Sequence, residues 1–366
     1  MLLKQITPCG LDLCDASPNF LQSGFWARFK SAFGWRPYAF LLETDCEPPS
    51  PVLVIVRKIA FGACFAYIPW GPACRVLPPP SFLLDAISSI KKFLPKNVVF
   101  LRVDLPHAVD ENLRESYAKK QFILSKAEVQ PSCTVVINLE ETLENILKKM
   151  KSKWRYNIRL GERKTKVTLA LKNEDFNEDG GEKTKKSLEA LEIFYALLKE
   201  TSARDGIAVH NFEYYKTLFK IKNSASKTDC LSLNADVRLY IAYFEEKPVA
   251  AVITLFRGEE AVYLYGASSS TGRESMASYA LQWRAVTDAK EFGAKRYDFF
   301  GIPPSDAPGH PMAGLYRFKT GFGGEIIRRI PSFDRPFKPL MYAAFSCAET
   351  FRKNLRDLKK SVLRRL

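Results

Sequence analysis

The sequence predicts an α/β fold of the α+β kind, built as two similar domains whose mixed sheets are flanked by helices. Three observations carry that reading. The 366 residues exceed the roughly 150 expected of one domain. Hydrophobic residues make up 46% of the chain and charged residues 26%, which suffices for a buried core without disulfides and excludes extended disorder. Short β-branched or aromatic runs alternate with helical periodicity, and the alternation occurs twice.

Residues 52–56, 64–68, 98–103 and 133–139 read as strands, because each is short, apolar and bounded by Pro, Gly or charged turns. Between them, 82–93 reads as a helix, with Phe82, Leu83, Ala86, Ile87, Ile90 and Leu94 near a 3.6-residue period. Residues 238–244, 249–256 and 261–265 read as successive antiparallel strands, 275–292 as a helix and 296–300 as another strand. Each half runs strand, loop, helix, strand. Gly71 stands 33 positions before Asp104, and Gly266 stands 32 before Asp298, a spacing that suggests a duplicated unit. The charge break near 140–148 places the boundary between a domain of residues 1–145 plus 327–366 and one of residues 146–326. The Pro- and Gly-rich stretch 303–314 reads as a loop, followed by a dense segment from Gly314 that reads as a tight turn into a strand.

The net charge of +15 is concentrated in residues 148–166 and 328–366, which carry +8 each and leave the rest near neutral. Local basic surfaces suit a polyanion such as nucleic acid, a phosphorylated substrate or anionic lipid, and can also be plain solvated faces. Eight cysteines without C-x-x-C, and His107, His210 and His310 far apart, give no zinc cluster and no disulfide framework, so no metal is expected. The first residues lack a charged-then-apolar signal pattern, and no run approaches the ~20 apolar residues of a membrane span. A cytoplasmic protein follows, one that at most touches the inner face of the membrane.

Neither G-x-x-x-x-G-K-[ST] nor G-x-G-x-x-G occurs, and no G-x-S-x-G elbow is present. The strand, loop and helix around 266–276 have the layout in which acyl-CoA acetyltransferases offer loop amides to a pyrophosphate. Here the loop reads Ser268-Ser269-Ser270-Thr271-Gly272-Arg273-Glu274-Ser275, without a glycine-rich turn and with Glu274 where an anion would sit. That favours an acetyltransferase-like shape without its coenzyme. The densest segment is Gly314-Leu315-Tyr316-Arg317-Phe318-Lys319-Thr320-Gly321-Phe322-Gly323-Gly324, whose glycines, aromatics and lysine suggest a fixed cation beside a flat or apolar ligand.

That segment, preceded by Tyr297-Asp298-Phe299-Phe300-Gly301, resembles the C-terminal signature of the Fem family, the peptidoglycan bridge-forming aminoacyltransferases. Further matches follow in the family's order: Phe20-Leu21-Gln22-Ser23 with Trp26, Lys30, Gly34 and Trp35; Tyr67 to Pro72; Arg102-Val103-Asp104; Lys153 to Arg159; Thr201 with Arg204-Asp205-Gly206; and Tyr265-Gly266-Ala267-Ser268.

The resemblance implies two acetyltransferase-like (GNAT-type) domains, the first for precursor binding and the second for aminoacyl transfer. It implies transfer of an amino acid from aminoacyl-tRNA to the side-chain amine of a stem peptide on a lipid-linked or nucleotide-linked peptidoglycan precursor. Aminoacyl-tRNA is then the co-substrate, and no cofactor is implied. By motif, Lys30 and Arg204 would bind the precursor's diphosphate, with Trp35, Tyr265 and Tyr316 on the substrate side. Lys319 beside Phe318 would stabilise the oxyanion, and Asp104 matches an acid considered as a general base. Two departures stand out: Leu105 intervenes before Pro106, and Phe300 occupies a position where a second glycine is common. Nothing between Lys148 and Gly324 shows sustained heptads, so no coiled-coil arm is expected.

This chemistry needs no covalent enzyme intermediate, because an aminoacyl ester is already activated. It needs an aligned neutral amine and a donor for the developing negative oxygen. Lys151, Lys153, Arg155 and Arg159 then face tRNA phosphates. So does the basic C-terminal helix, with Arg352, Lys353, Arg356, Lys359, Lys360, Arg364 and Arg365, unless it lies on anionic lipid. Two other readings remain: an acyl-CoA-dependent N-acyltransferase, and a non-catalytic RNA- or membrane-binding module on the same fold.

Overall fold

The computed structural model describes the chain except residues 75–76, 110–114, 118–120, 177–180, 224–232, 308–311 and 364–366, and except the side chains of 352–363. His310 and the basic face of the C-terminal helix therefore lie outside the described residues. The chain divides into two units, Met1–Ser132 with Arg329–Leu366, and Cys133–Arg328.

The first unit is a seven-stranded mixed sheet. Its order is β1 (Leu3–Cys9), β2 (Trp35–Thr44), β3 (Ser50–Lys58), β4 (Cys64–Ile68), β5 (Val98–Val103), β14 (Phe333–Pro336) and β6 (Ile123–Leu124). The continuous apolar run in β3 exists because both faces of the sheet are covered. Val52, Val54 and Val56 pack with Phe82, Leu83, Ile87 and Ile90 of helix α2 (Pro80–Lys91). Leu53 and Ile55 point the other way, toward Ala27 of helix α1 (Gly24–Ser31) and Trp35. The C-terminal return is fixed to this unit by a buried ion pair. Arg102 donates to both oxygens of Asp334 at 2.7 and 2.9 Å, and Glu349 of the last helix, α9 (Pro339–Leu363), lies 3.3 Å away.

The second unit repeats the plan. Its sheet runs β13 (Glu325–Arg328), β7 (Cys133–Asn138), β12 (Arg296–Gly301), β11 (Glu260–Ser268), β10 (Lys247–Arg257), β9 (Asp236–Phe244) and β8 (Lys166–Lys172). In the first sheet β4 and β5 are parallel and joined through α2; in the second β11 and β12 are parallel and joined through α7 (Ala277–Glu291). The two equal spacings in the sequence are these two strand–helix–strand crossovers. Asp104 follows β5 and Asp298 lies in β12.

Three expectations need correction. The first boundary lies at Ser132/Cys133 and not at 145/146, because residues 133–138 pair with β12 and β13 of the second sheet. The return falls at 328/329 rather than 326/327, because β13 pairs with β7 through Arg328. The dense segment from Gly314 opens as a helix, α8 (Ala313–Thr320), and only its glycines form the bend into β13. Helix α4 (Ser152–Lys164), which follows the short helix α3 (Leu143–Lys149), lies against α7.

Gly161 sits in the middle of α4 where it meets α7. A Cβ there would come within 2.8 Å of the Met276 carbonyl oxygen and 3.0 Å of Ala280 Cβ. Gly to Ala in an exposed helix interior gains about 1 kcal/mol, but forcing a methyl into a closed contact costs about 1–3 kcal/mol. Gly161→Ala should therefore lower the midpoint of chemical unfolding. Gly314→Ala in α8, with open space around it, should leave that midpoint unchanged or raise it. Equal effects of the two would show that the α4–α7 contact is not tight.

Candidate active site

The site of the second unit begins where its parallel strands part. β11 and β12 pair only from Glu260 and Arg296 to Val262 and Asp298, yet β11 runs on to Ser268. The gap opens a cavity of about 880 Å³, with Tyr263 to Ser269 on one wall and Phe300, Gly301, Phe318 and Lys319 on another.

Lys319 is 5% exposed. Its Nζ donates to the carbonyl oxygens of Phe299 at 2.7 Å and Gly301 at 2.8 Å, and lies 5.0 Å from the Tyr263 ring centroid. Those carbonyls are turned toward it because the register of β12 against β7 slips between Asp298 and Gly301. Phe300 takes a left-handed φ of 57° there, the conformation that makes glycine common at such a position. Asp298 holds the turn. Its Oδ1 accepts the Phe300 N–H at 2.6 Å and the hydroxyl of Thr134. Burial pushes the Lys319 ammonium down to about 7, against the opposing pull of Asp298. An ammonium has three N–H donors; the two carbonyls take two, which among the described residues leaves one for a ligand oxygen.

Phe318 is held from two sides. Its carbonyl accepts the Trp154 indole N–H at 2.8 Å, and its ring meets Tyr279 at 5.2 Å. Tyr316, expected on the substrate side, instead packs half-buried against the core, outside the cavity lining.

At the other end of the cavity, helix α5 (Glu182–Asp205) is stitched to the end of β11. Thr201 Oγ1 donates to the Ser268 carbonyl at 3.0 Å and accepts its N–H at 2.9 Å. Arg204 donates to the Ser268 carbonyl at 2.8 Å and makes a two-point contact with Asp205 at 2.8 and 3.1 Å. Tyr265 lines the cavity and donates to Tyr214 Oη at 3.3 Å. The carboxylate on the loop amides is Glu200, not the expected Glu274, which is exposed. Glu200 accepts the Ser270 N–H at 2.5 Å and the Ser269 hydroxyl at 3.1 Å, and the backbone donor holds it below the usual glutamate range. Thr271 N–H goes to Ser269 Oγ and Ser275 N–H to the Gly272 carbonyl. Those amides, which could have held a pyrophosphate, are already satisfied.

Lys30, Trp35 and Asp104 belong to the first unit. Lys30 Nζ lies 5.3, 5.8 and 6.0 Å from the ring centroids of Trp26, Phe29 and Trp35. Burial and then the nearby Arg57 push it down to about 8. Asp104 is buried and accepts the Tyr67 hydroxyl; burial pushes it up to about 6, against Ser332, Tyr67 and Arg102.

The basic quartet is divided by its helix. Lys151 precedes α4; Lys153 and Arg159 are exposed on its outer face beside Tyr156, which is 60% exposed. Arg155 turns back and donates to the carbonyls of Lys148 and Met150 at the end of α3. Part of its donor set therefore caps a helix. Trp154, Thr134, Asp298, Tyr263 and Glu200 carry positioning duties that the sequence reading did not assign. Trp154 and Asp298 stood inside quoted motifs, whereas Thr134 and Glu200 had no local signal.

Comparison with known proteins agrees with this architecture. Residues 120–240 and 235–350 match the FemAB family. The chain is 22% identical over 397 aligned positions to a lipid II:glycine glycyltransferase of Staphylococcus epidermidis, covering 88% of this chain and 89% of that one. It is 32% identical over 109 positions to aminoacyltransferase FemA of Staphylococcus aureus, covering 30% and 26%. A crystal structure of FemX shares the fold with a TM-score of 0.76 at 17% identity, over 93% of this chain and 100% of that one. With more than half its length matched, the chain belongs to the FemAB family.

Proposed function

We propose that this chain moves an amino acid from aminoacyl-tRNA to the side-chain amine of a peptidoglycan precursor's stem peptide. The observation that carries the proposal is Lys319, a buried cation fixed by two backbone carbonyls at the gap between parting strands. The acceptor nitrogen attacks the ester carbonyl, the new C–N bond forms, and the C–O bond to the terminal ribose breaks. The nitrogen gives up a proton and the ribose oxygen takes one. As negative charge grows on the carbonyl oxygen, the remaining N–H of Lys319 is the donor assigned to it. Phe318, clamped by Trp154 and Tyr279, keeps the lysine's helix turn in place. Asp104, tied to Tyr67 in the other unit, carries no step in this reading.

The relatives named for lipid II and for aminoacyl transfer support the acceptor and the reaction class. The loop closed by Glu200 favours a donor other than an acyl-CoA, whose pyrophosphate would need those amides. We assign precursor phosphate binding to Lys30 in the first unit and to Arg204 in the second, each taken by itself, and tRNA phosphates to Lys151, Lys153 and Arg159. Arg155 contributes through the end of α3 as well as by its charge. Exchange of Asp205 for a phosphate would leave Arg204 its contact with Ser268.

Lys319→Ala should lower kcat by ~10²–10³ with precursor affinity nearly unchanged. The donor is present when Lys319 is protonated, so its contribution to kcat/KM is full below about pH 7 and lost as pH rises through it. That alkaline fall should be absent in Lys319→Met. A full rate in either variant removes Lys319 from the chemistry.

Calorimetry of Lys30→Ala and Arg204→Ala with the precursor tests the phosphate assignment. Loss of a charged hydrogen bond of ~1.5–3 kcal/mol should weaken binding by roughly tenfold or more, with little change in kcat. Unchanged affinity in both refutes the assignment.

tRNA affinity should fall with salt at a log–log slope of roughly −0.7 to −0.9 per contacted phosphate. Lys151→Gln, Lys153→Gln and Arg159→Gln together should flatten that slope by about three contacts' worth. Arg155→Gln should also destabilise the fold, since the carbonyls it caps lose a donor. A slope that the triple variant leaves intact would mark α4 as a solvated face.

A further inference from the structure

One edge of the first unit is both apolar and basic, and the reaction makes no use of it. Three turns meet there. The Asn97 side chain donates to the Gly62 carbonyl at 2.7 Å, and the Lys338 N–H donates to the Val99 carbonyl at 3.0 Å. Lys91 Nζ lies 4.8 Å from the Phe337 ring centroid. The turn after β3, the end of α2 and the start of α9 thus surround the beginning of β5.

The three segments 58–62, 91–97 and 337–341 contain five lysines and no Asp or Glu. They also put large apolar side chains into water. Phe61 is fully exposed, Leu340 is 89% exposed and Phe93 is 45% exposed. Phe61 further holds a left-handed φ of 57° next to Gly62. A non-glycine residue there costs on the order of 1 kcal/mol, and this one gains no packing in return. Such a ring has a use only when something covers it.

We propose that this edge docks on an anionic lipid bilayer, with Phe61 and Leu340 entering the head-group region and the lysines meeting lipid phosphates. The charge is of one sign, as a negative surface requires, and each lysine can reach outward while its stem stays apolar. An RNA partner would use the lysines but not the aliphatic Leu340. Among the described residues no helix is long and apolar enough to cross a membrane, so the contact is peripheral. The same end of the sheet holds Trp35, paired with Arg57 in the strand that leads to Lys58, and Trp35 is one wall of the Lys30 cage. A membrane-anchored diphosphate would therefore arrive beside Lys30; that consequence rests on the proposed function, whereas bilayer binding does not.

The test is co-sedimentation of the full chain with phosphatidylcholine vesicles, with and without phosphatidylglycerol. Binding should require phosphatidylglycerol and weaken with salt. Phe61→Ser should reduce partitioning by at least about tenfold, and Lys92→Gln with Lys96→Gln by on the order of fivefold per lysine. All three side chains are exposed, so the variants should unfold at the wild-type midpoint. Three results overturn the proposal: binding indifferent to phosphatidylglycerol; binding unchanged in these variants and lost instead in Arg352→Gln with Arg356→Gln; or variants that lose tRNA but keep vesicles. Because the assay contains no substrate, its failure leaves the aminoacyl-transfer reading untouched.

Discussion

A buried ammonium is tolerable only where backbone oxygens replace water, and the second unit supplies two of them from a strand turned out of its own ladder. Everything about the site follows from that slip in β12. Phe299 within the slip and Gly301 where pairing resumes give Lys319 its two carbonyls. Asp298 and Thr134 hold the slip open, and Phe300 accepts a left-handed backbone to complete it. The same divergence of β11 from β12 creates the cavity into which the third N–H can reach. A lysine on the surface would keep its proton through neutral pH and be screened by solvent. Burial lowers this one to about 7, and in a buried wall a donor interaction is worth more than in water.

Much of this was legible in the sequence, for a physical reason. Strands buried on both faces must be largely apolar, so 52–56, 98–103 and 249–256 stood out. The equal spacings from Gly71 to Asp104 and from Gly266 to Asp298 reported a crossover whose helix length is set by the sheet it spans. Lys319 was visible because glycines and aromatics crowd around it within a few residues. What escaped notice depends on partners distant in the chain. Residues 133–138 form an apolar strand that could belong to either sheet, and only its pairing with β12 and β13 assigns it to the second. Glu200 meets Ser270 across 70 positions and Thr134 meets Asp298 across 164. No local pattern announces such contacts. Arg155 shows the opposite failure, since a basic run looks uniform until the helix turns one member inward.

Each unit carries a basic surface of its own composition. In the second unit the outer face of α4 is basic and carries an exposed tyrosine, features suited to a nucleic-acid surface. In the first unit the lysines surround exposed phenylalanine and leucine, features suited to a bilayer. In the second unit the loop after β11 is closed by Glu200, which takes the Ser270 N–H, while Ser269 takes that of Thr271.

The most direct test is a competition between donors. The protein is incubated with a lipid-linked precursor, acetyl-CoA and a pool of charged tRNAs, and the mass added to the stem peptide is read with and without prior ribonuclease treatment. The account predicts a gain of whole aminoacyl residues that ribonuclease abolishes. An acetyl increment, or an aminoacyl increment that survives ribonuclease, would contradict it.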